Sequence, residues 1–193
     1  VGIAMDRISQ PALESLLRQL TGVEPAVADD APYRFLTRHT RSGIPIQKAT
    51  RFVFQRLQAL GFEVRYQPWS RSGYTNLNVI GTRAGGARSN ETVLVTAHLD
   101  SMPQGERAPG ADDNASGTAA VLAAAGVLRS FDFERTLRFV LFTGEEQGLL
   151  GSAQTAAEAY AANERIVAVL NLDMLAWDAA GGPIVRLHTR TAS

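Results

Sequence analysis

The chain has 193 residues, 45% of them hydrophobic and 20% charged, which allows one sizeable domain with its own core and fits neither a disordered nor a membrane-embedded class. Positive and negative side chains balance at 19 each, so no general attraction to nucleic acid or to an anionic membrane is expected. Cysteine is absent, which excludes thiol nucleophiles, disulfides and cysteine-based zinc sites, and Lys48 is the only lysine, in a helical stretch with no glycine-rich loop before it.

The opening VGIAMDRISQ is too poor in apolar residues for a membrane span and lacks the basic start of a signal peptide. In SQPALESLLRQLTG, Leu13, Leu16, Leu17 and Leu20 share one helical stripe, with Ser9 as N-cap and Gly22 as stop. Residues 23–44 are polar and turn-rich and read as a loop or lid edge. PIQKATRFVFQRLQALGF carries a second stripe through Ile46, Ala49, Val53, Leu57 and Leu60, ending at Gly61.

Beyond Gly61 the period shortens. FEVRYQPW and TNLNVIGT read as strands, and RAGGARSNE as a hairpin-type loop leading to the next one. TVLVTA is a continuous apolar run, as expected of a strand buried on both faces. A small-residue helix, SGTAAVLAAAGVLRS, precedes a second buried strand, TLRFVLFT. The helix GSAQTAAEAYAANE then leads to a third buried strand, IVAVLNL, and PIVRLHT closes the chain as an alternating run. Strands alternating with helices predict an α/β fold: a three-layer α/β/α sandwich around a mostly parallel mixed sheet. No internal repeat or interdomain linker interrupts residues 1–193, so one domain is expected.

The chemistry collects at strand ends. TVLVTAHLDS delivers His98 and Asp100, TLRFVLFTGEE delivers Glu145 and Glu146, and VLNLDM delivers Asp173, while PGADDNASG places Asp112 and Asp113 just before a helix. Ligands of open α/β sheets bind outside the carboxyl ends of the strands, so these side chains are expected to converge. Imidazole and carboxylates without thiolates suit Zn²⁺ or a related divalent ion in a hydrolytic site. His98 and Asp100, at i and i+2, lie on one strand face, so Asp100 can accept from the far ring nitrogen of His98, or else serve as a turn cap. Adjacent acids repel, and the pair Glu145–Glu146 makes sense outside a solvated loop if one carboxylate meets a cation and the other stays free to take a proton from water.

Other candidates read less productively. Asp112 suits a helix start. His188 stands beside Arg186 and Arg190 on its alternating run, and His39 lies among arginines; neither is expected to be a ligand. Asp178 reads as a turn residue, and Trp69 and Trp177 as packing. Ser101 follows His98 and Asp100, but three residues on one strand end cannot form a relay, and G-x-S-x-G does not occur.

AHLDS, PGADDNASG, TGEEQGLLGS and LNLDM, in this order, resemble the bacterial leucyl aminopeptidases and their relatives, the co-catalytic di-zinc aminopeptidases, from about residue 43 to the end. The resemblance implies that His98 and Asp173 bind one Zn²⁺, that Glu146 binds a second, that Asp113 bridges them, and that Glu145 is the general base toward a shared water. It further implies a cis peptide after the bridging aspartate, here Asp113–Asn114, peptide substrates with a free N-terminus, and a secreted or periplasmic location. The family's second zinc takes one more histidine, well after the NLDM strand. By the resemblance the chain is therefore the N-terminal portion of such a domain, holding one zinc or none where the complete domain holds two, with a truncated sheet edge open to self-association. Two other readings remain beside an aminopeptidase: a carboxypeptidase or amidohydrolase built on the same di-metal core, and a non-catalytic, protease-like interaction domain.

Overall fold

The computed structural model describes residues 6–177 and 186–189. Helix α1 (Gln10–Leu20) starts where the Ser9 hydroxyl accepts the Ala12 N–H, with Pro11 in its first turn. Residues 23–44, expected as a loop or lid edge, hold a small antiparallel pair, β1 (Ala26–Ala28) and β2 (Ala31–Tyr33), followed by a segment in which Phe35 and residues 37–40 are buried. Aperiodic sequence carries no sign of this burial, because Arg38 and Thr40 are held by partners distant in the chain. Helix α2 (Ile44–Ala59) buries Ile46, Ala49, Phe52, Val53 and Leu57.

The main sheet has five strands in the order β3-β4-β6-β5-β7. β3 (Glu63–Arg71) and β4 (Tyr74–Arg83) form an antiparallel hairpin, and β4 pairs antiparallel with β6 (Arg135–Phe142). β5 (Arg88–His98) runs parallel to β6 on one side and to β7 (Arg165–Asn171) on the other. The residues between β4 and β5 are thus no hairpin. The Gly86 and Arg88 N–H groups donate to the carbonyls of Phe133 and Glu134, so the chain leaving β4 passes the start of β6, which occupies the place between the two strands.

Helices α1, α2 and α3 (Gly117–Leu128) cover one face, packing on Val79, Val95, Ala97, Leu137, Phe139 and Leu141. Phe139 is fully buried and meets Phe62 edge-on at 5.1 Å; burying such a ring is worth about 1.5–3 kcal/mol. Small residues in α3 let it lie close to both the sheet and its neighbouring helices. Helix α4 (Leu150–Ala161) covers the opposite face of β3 and β4, and Ile80, Leu94 and Val140 form a smaller apolar cluster on that side. The architecture is α/β with three layers.

β7 departs from its expected burial: Val167, Val169 and Leu170 are exposed. It pairs with β5 alone, and among the described residues no helix covers it. In the closing run, residues 186–189 have no regular structure, and residues 183–185, with Asp178, lie outside the described residues. No described helix is long and apolar enough to cross a membrane.

Under α4, Asn78 is a fully buried hub: its amide donates to Gln67 Oε1 and to the Gly151 carbonyl, and its Oδ1 accepts the Thr143 N–H. Asn78→Leu keeps the bulk but strands these groups away from water. It is expected to cost about 3 kcal/mol, read as a lower urea midpoint, and an unchanged midpoint would refute the hub.

Candidate metal centre

Register builds the site. His98 is the last residue of β5, opposite Phe142 of β6, so the turn after Phe142 carries Glu145 and Glu146 to its side. On the other side Thr96 faces Asn171, which brings Asp173 level with His98. From below, the wide turn Ala111–Ser116 that opens α3 brings up Asp113. Its helical path breaks at Asp113 and Asn114, and the peptide bond between them is cis, as expected.

The side chains converge on one imidazole nitrogen. His98 Nε2 lies 2.9 Å from Asp113 Oδ1, 3.5 Å from Asp173 Oδ1 and 3.9 Å from Glu145 Oε2. One ligand atom each of His98, Asp113 and Glu146 lie within 4.8 Å of one another. All four sequence-derived ligands and the expected base thus meet at one strand edge.

Asp100 does more than expected. It is completely buried; its Oδ1 accepts the Glu145 N–H at 3.2 Å, and its Oδ2 accepts the Glu146 N–H at 3.3 Å and the Thr40 hydroxyl at 3.1 Å. The same hydroxyl accepts the Gly144 N–H at 3.1 Å. Asp100 therefore acts as turn cap and histidine neighbour together. Gly144 sits at φ +74° against Trp69, where a Cβ would collide with the indole; Trp69 is buried and donates to Thr143 Oγ1. Trp177, by contrast, is 75% exposed, because its segment runs over the surface, so the packing expected of it is absent.

Asp112 is more than the helix-start acid its sequence suggests: its Oδ1 accepts the N–H groups of Ala176 and Trp177, fastening the chain that follows Asp173. Ser116 Oγ accepts the Leu175 N–H, and the Asn114 amide donates to the Leu172 carbonyl. Thr118 donates to the carbonyl of His98 itself. Thr40, Asn114, Ser116 and Thr118 left no trace in sequence periodicity, since small polar residues are common at turns and helix starts for local reasons.

The remaining candidates stand aside. His39 is buried, its Nδ1 accepting the Arg41 N–H; burial pushes the imidazole down, Asp100 pulls against it, and the Arg41 charge lowers it further. His188 is exposed and lies outside the cluster. The Ser101 hydroxyl is buried and donates to the Ala108 carbonyl, a structural arrangement.

The donor set fits a divalent cation. His98 Nδ1 is buried without a hydrogen-bond partner, 3.6 Å from Asp100 Oδ1; a small rotation of the ring would let it donate there, leaving the Nε2 lone pair for a metal. Electrostatics point the same way. Burial alone would depress the His98 imidazole, yet Asp100 and Asp173 overcome it and raise its pKa to about 10. Glu146 rises to about 7, through burial first and then repulsion by Asp113, which His98 only partly offsets. Protons on His98 and Glu146 thus relieve the same concentration of negative charge that a bound cation would.

A family model described as peptidase family M28 matches residues 78–191. A protein of Arthroderma otae named "probable leucine aminopeptidase" is 31% identical over 190 residues, covering 91% of this chain and 48% of that protein, so the chain spans about half the length of that relative. Among solved structures, LapB from Legionella pneumophila superposes with a TM-score of 0.73 at 22% identity, over 90% of this chain and 45% of that one. A Bacteroides thetaiotaomicron glutaminyl cyclase bound to N-acetylhistamine superposes with a TM-score of 0.67 at 17% identity, over 87% and 62%. At these identities the structures show a shared fold alone.

Glu146 sets a pH signature. A carboxyl whose folded pKa stands above its unfolded value binds its proton more tightly in the native state. Its stabilisation is therefore complete below about 4.5 and lost as pH rises through about 7. In metal-free protein the melting temperature should fall between about pH 5 and about pH 7.5 more steeply in the wild type than in Glu146→Gln. Added Zn²⁺ should recover the loss at the upper pH. Parallel pH profiles of the two proteins would remove Glu146 from the cluster.

Proposed function

The chain belongs to peptidase family M28, and from that premise we propose that it carries the metal centre of a zinc aminopeptidase, a hydrolase that removes residues from peptide N-termini. One observation carries this reading: His98, Asp113 and Glu146 offer ligand atoms to a common point, with Glu145 and Asp173 both approaching the same His98 nitrogen. The name of the fungal relative supports a peptide N-terminus as the substrate.

His98, Asp113, Glu146 and Asp173 would hold the metal. When bound, zinc supplies a Lewis acid for the scissile carbonyl and makes a water acidic enough to attack near neutral pH. The chain's own groups do the rest. Glu145 is only partly buried, and its pKa is raised, by burial against the opposing pull of His98 and then by repulsion from Asp100, Asp173 and Asp113. That makes it a stronger base than an ordinary carboxylate and suits it to take a proton from the attacking water and return it to the leaving amine. Its backbone N–H donates to Asp100, which fixes the turn that carries the carboxylate.

In the active enzyme, Glu145→Gln should lower kcat by about 10²–10⁴-fold while zinc content stays at the wild-type level. Wild-type turnover in that variant would end the assignment. The same enzyme should cleave a leucyl anilide and spare its N-acetylated form. Equal cleavage of both would instead favour the amidohydrolase reading, and zinc bound with no turnover of either would favour the non-catalytic one.

A further inference from the structure

Arg38 carries a complete positive charge into the interior with no role in the chemistry above. Its side chain is fully buried, and all four of its hydrogen bonds go to backbone carbonyls: Nε to Leu99 at 2.8 Å, one terminal nitrogen to Leu20 at 2.6 Å and Pro109 at 2.7 Å, the other to Gly110 at 3.1 Å. Desolvating a guanidinium for such neutral partners is costly, and a residue serving packing alone would have no need of the charge.

The carbonyls it grips are informative. Leu99 lies between His98 and Asp100. Pro109 and Gly110 lead directly into the turn that presents Asp113, and the Gly110 carbonyl also takes the Ala115 N–H at 2.9 Å. The Arg38 N–H donates to Ser101 Oγ, whose hydroxyl donates to Ala108, so the backbone joins the same clamp. Gly110 sits at φ +47°, where a Cβ would overlap the Asp113 carbonyl and press on Ser101, so the cradle has little slack. Only a forked group with several fixed donors spans carbonyls on three segments; an ammonium is a single point.

We propose that Arg38 is a positioning residue for the metal centre: by gripping the Leu99, Pro109 and Gly110 carbonyls, it sets the spacing between His98 and Asp113. The proposal rests on reading that cluster as a metal site. Its charge also stands behind Asp100 and Asp113, whose anionic forms attract it.

Co²⁺ titration of this chain, read by visible d–d absorption and by competition with a chelator, separates positioning from mere support. Arg38→Lys and Arg38→Gln should weaken Co²⁺ binding by about 10–100-fold and alter the band shape, at temperatures where circular dichroism shows them folded. The control is Glu91→Gln, at the far end of β5, where a buried carboxylate holds Arg88, Arg135 and Arg165. It should lose stability yet keep wild-type affinity and spectrum. Wild-type Co²⁺ binding in both Arg38 variants would overturn the proposal. So would equal loss in Glu91→Gln, or failure of both Arg38 variants to fold, which would make Arg38 a residue of the fold itself. If the wild type bound no Co²⁺, the metal reading would fail first and take this proposal with it.

Discussion

A carboxylate sealed from water must find donors, and Asp100 finds them in the turn that carries the two glutamates. That one requirement ties the ends of β5 and β6 together. The glutamate backbone is fixed from behind, so both side chains are free to face forward. Thr40 completes the arrangement, donating to Asp100 while accepting from Gly144. A buried anion satisfied by three hydrogen bonds is also a fixed negative pole beside the unpartnered His98 Nδ1, and it biases the ring toward presenting Nε2 to the cluster.

The second fastening lies across the sheet. β7 is the least covered strand, yet the chain after it is tied down by Asp112, Asn114 and Ser116, all from the turn opening α3. The turn that presents Asp113 thus also places Asp173. Arg38 grips the approach to that turn from the opposite side. Side chains from four segments are held in the cluster by polar contacts to backbone, which keep their geometry more faithfully than side-chain packing does, because each bond fixes direction as well as distance.

Burial first, and then repulsion from neighbouring acids, raises the carboxyl pKa values of Glu145 and Glu146, so holding them ionised here is unfavourable. The cost is tolerable where a cation or protons balance it, and the α1–α3 layer with its aromatic and aliphatic core supplies stability elsewhere. The fold can carry a locally unfavourable site because the two are spatially separate: the core lies under the sheet, the acids at its edge.

Much of this was legible in the sequence. The stripe of Leu13, Leu16, Leu17 and Leu20, the apolar runs ending in His98 and at Thr143, and the acids placed after them are local signals, set by the periods of helix and strand and by the residue types that can bind a hard or borderline cation. They determined the helices, the central strands and which side chains face the site. What the tertiary structure decided is everything that depends on partners far apart in the chain. The insertion of β6 between β4 and β5, the burial of Arg38 and Thr40 and the double duty of Asp100 and Asp112 all arise from contacts spanning tens of residues, and the exposure of β7 from the lack of a covering helix among the described residues. No period records them, because a buried polar residue is chosen to satisfy one particular partner, and that partner is known only once the chain has folded.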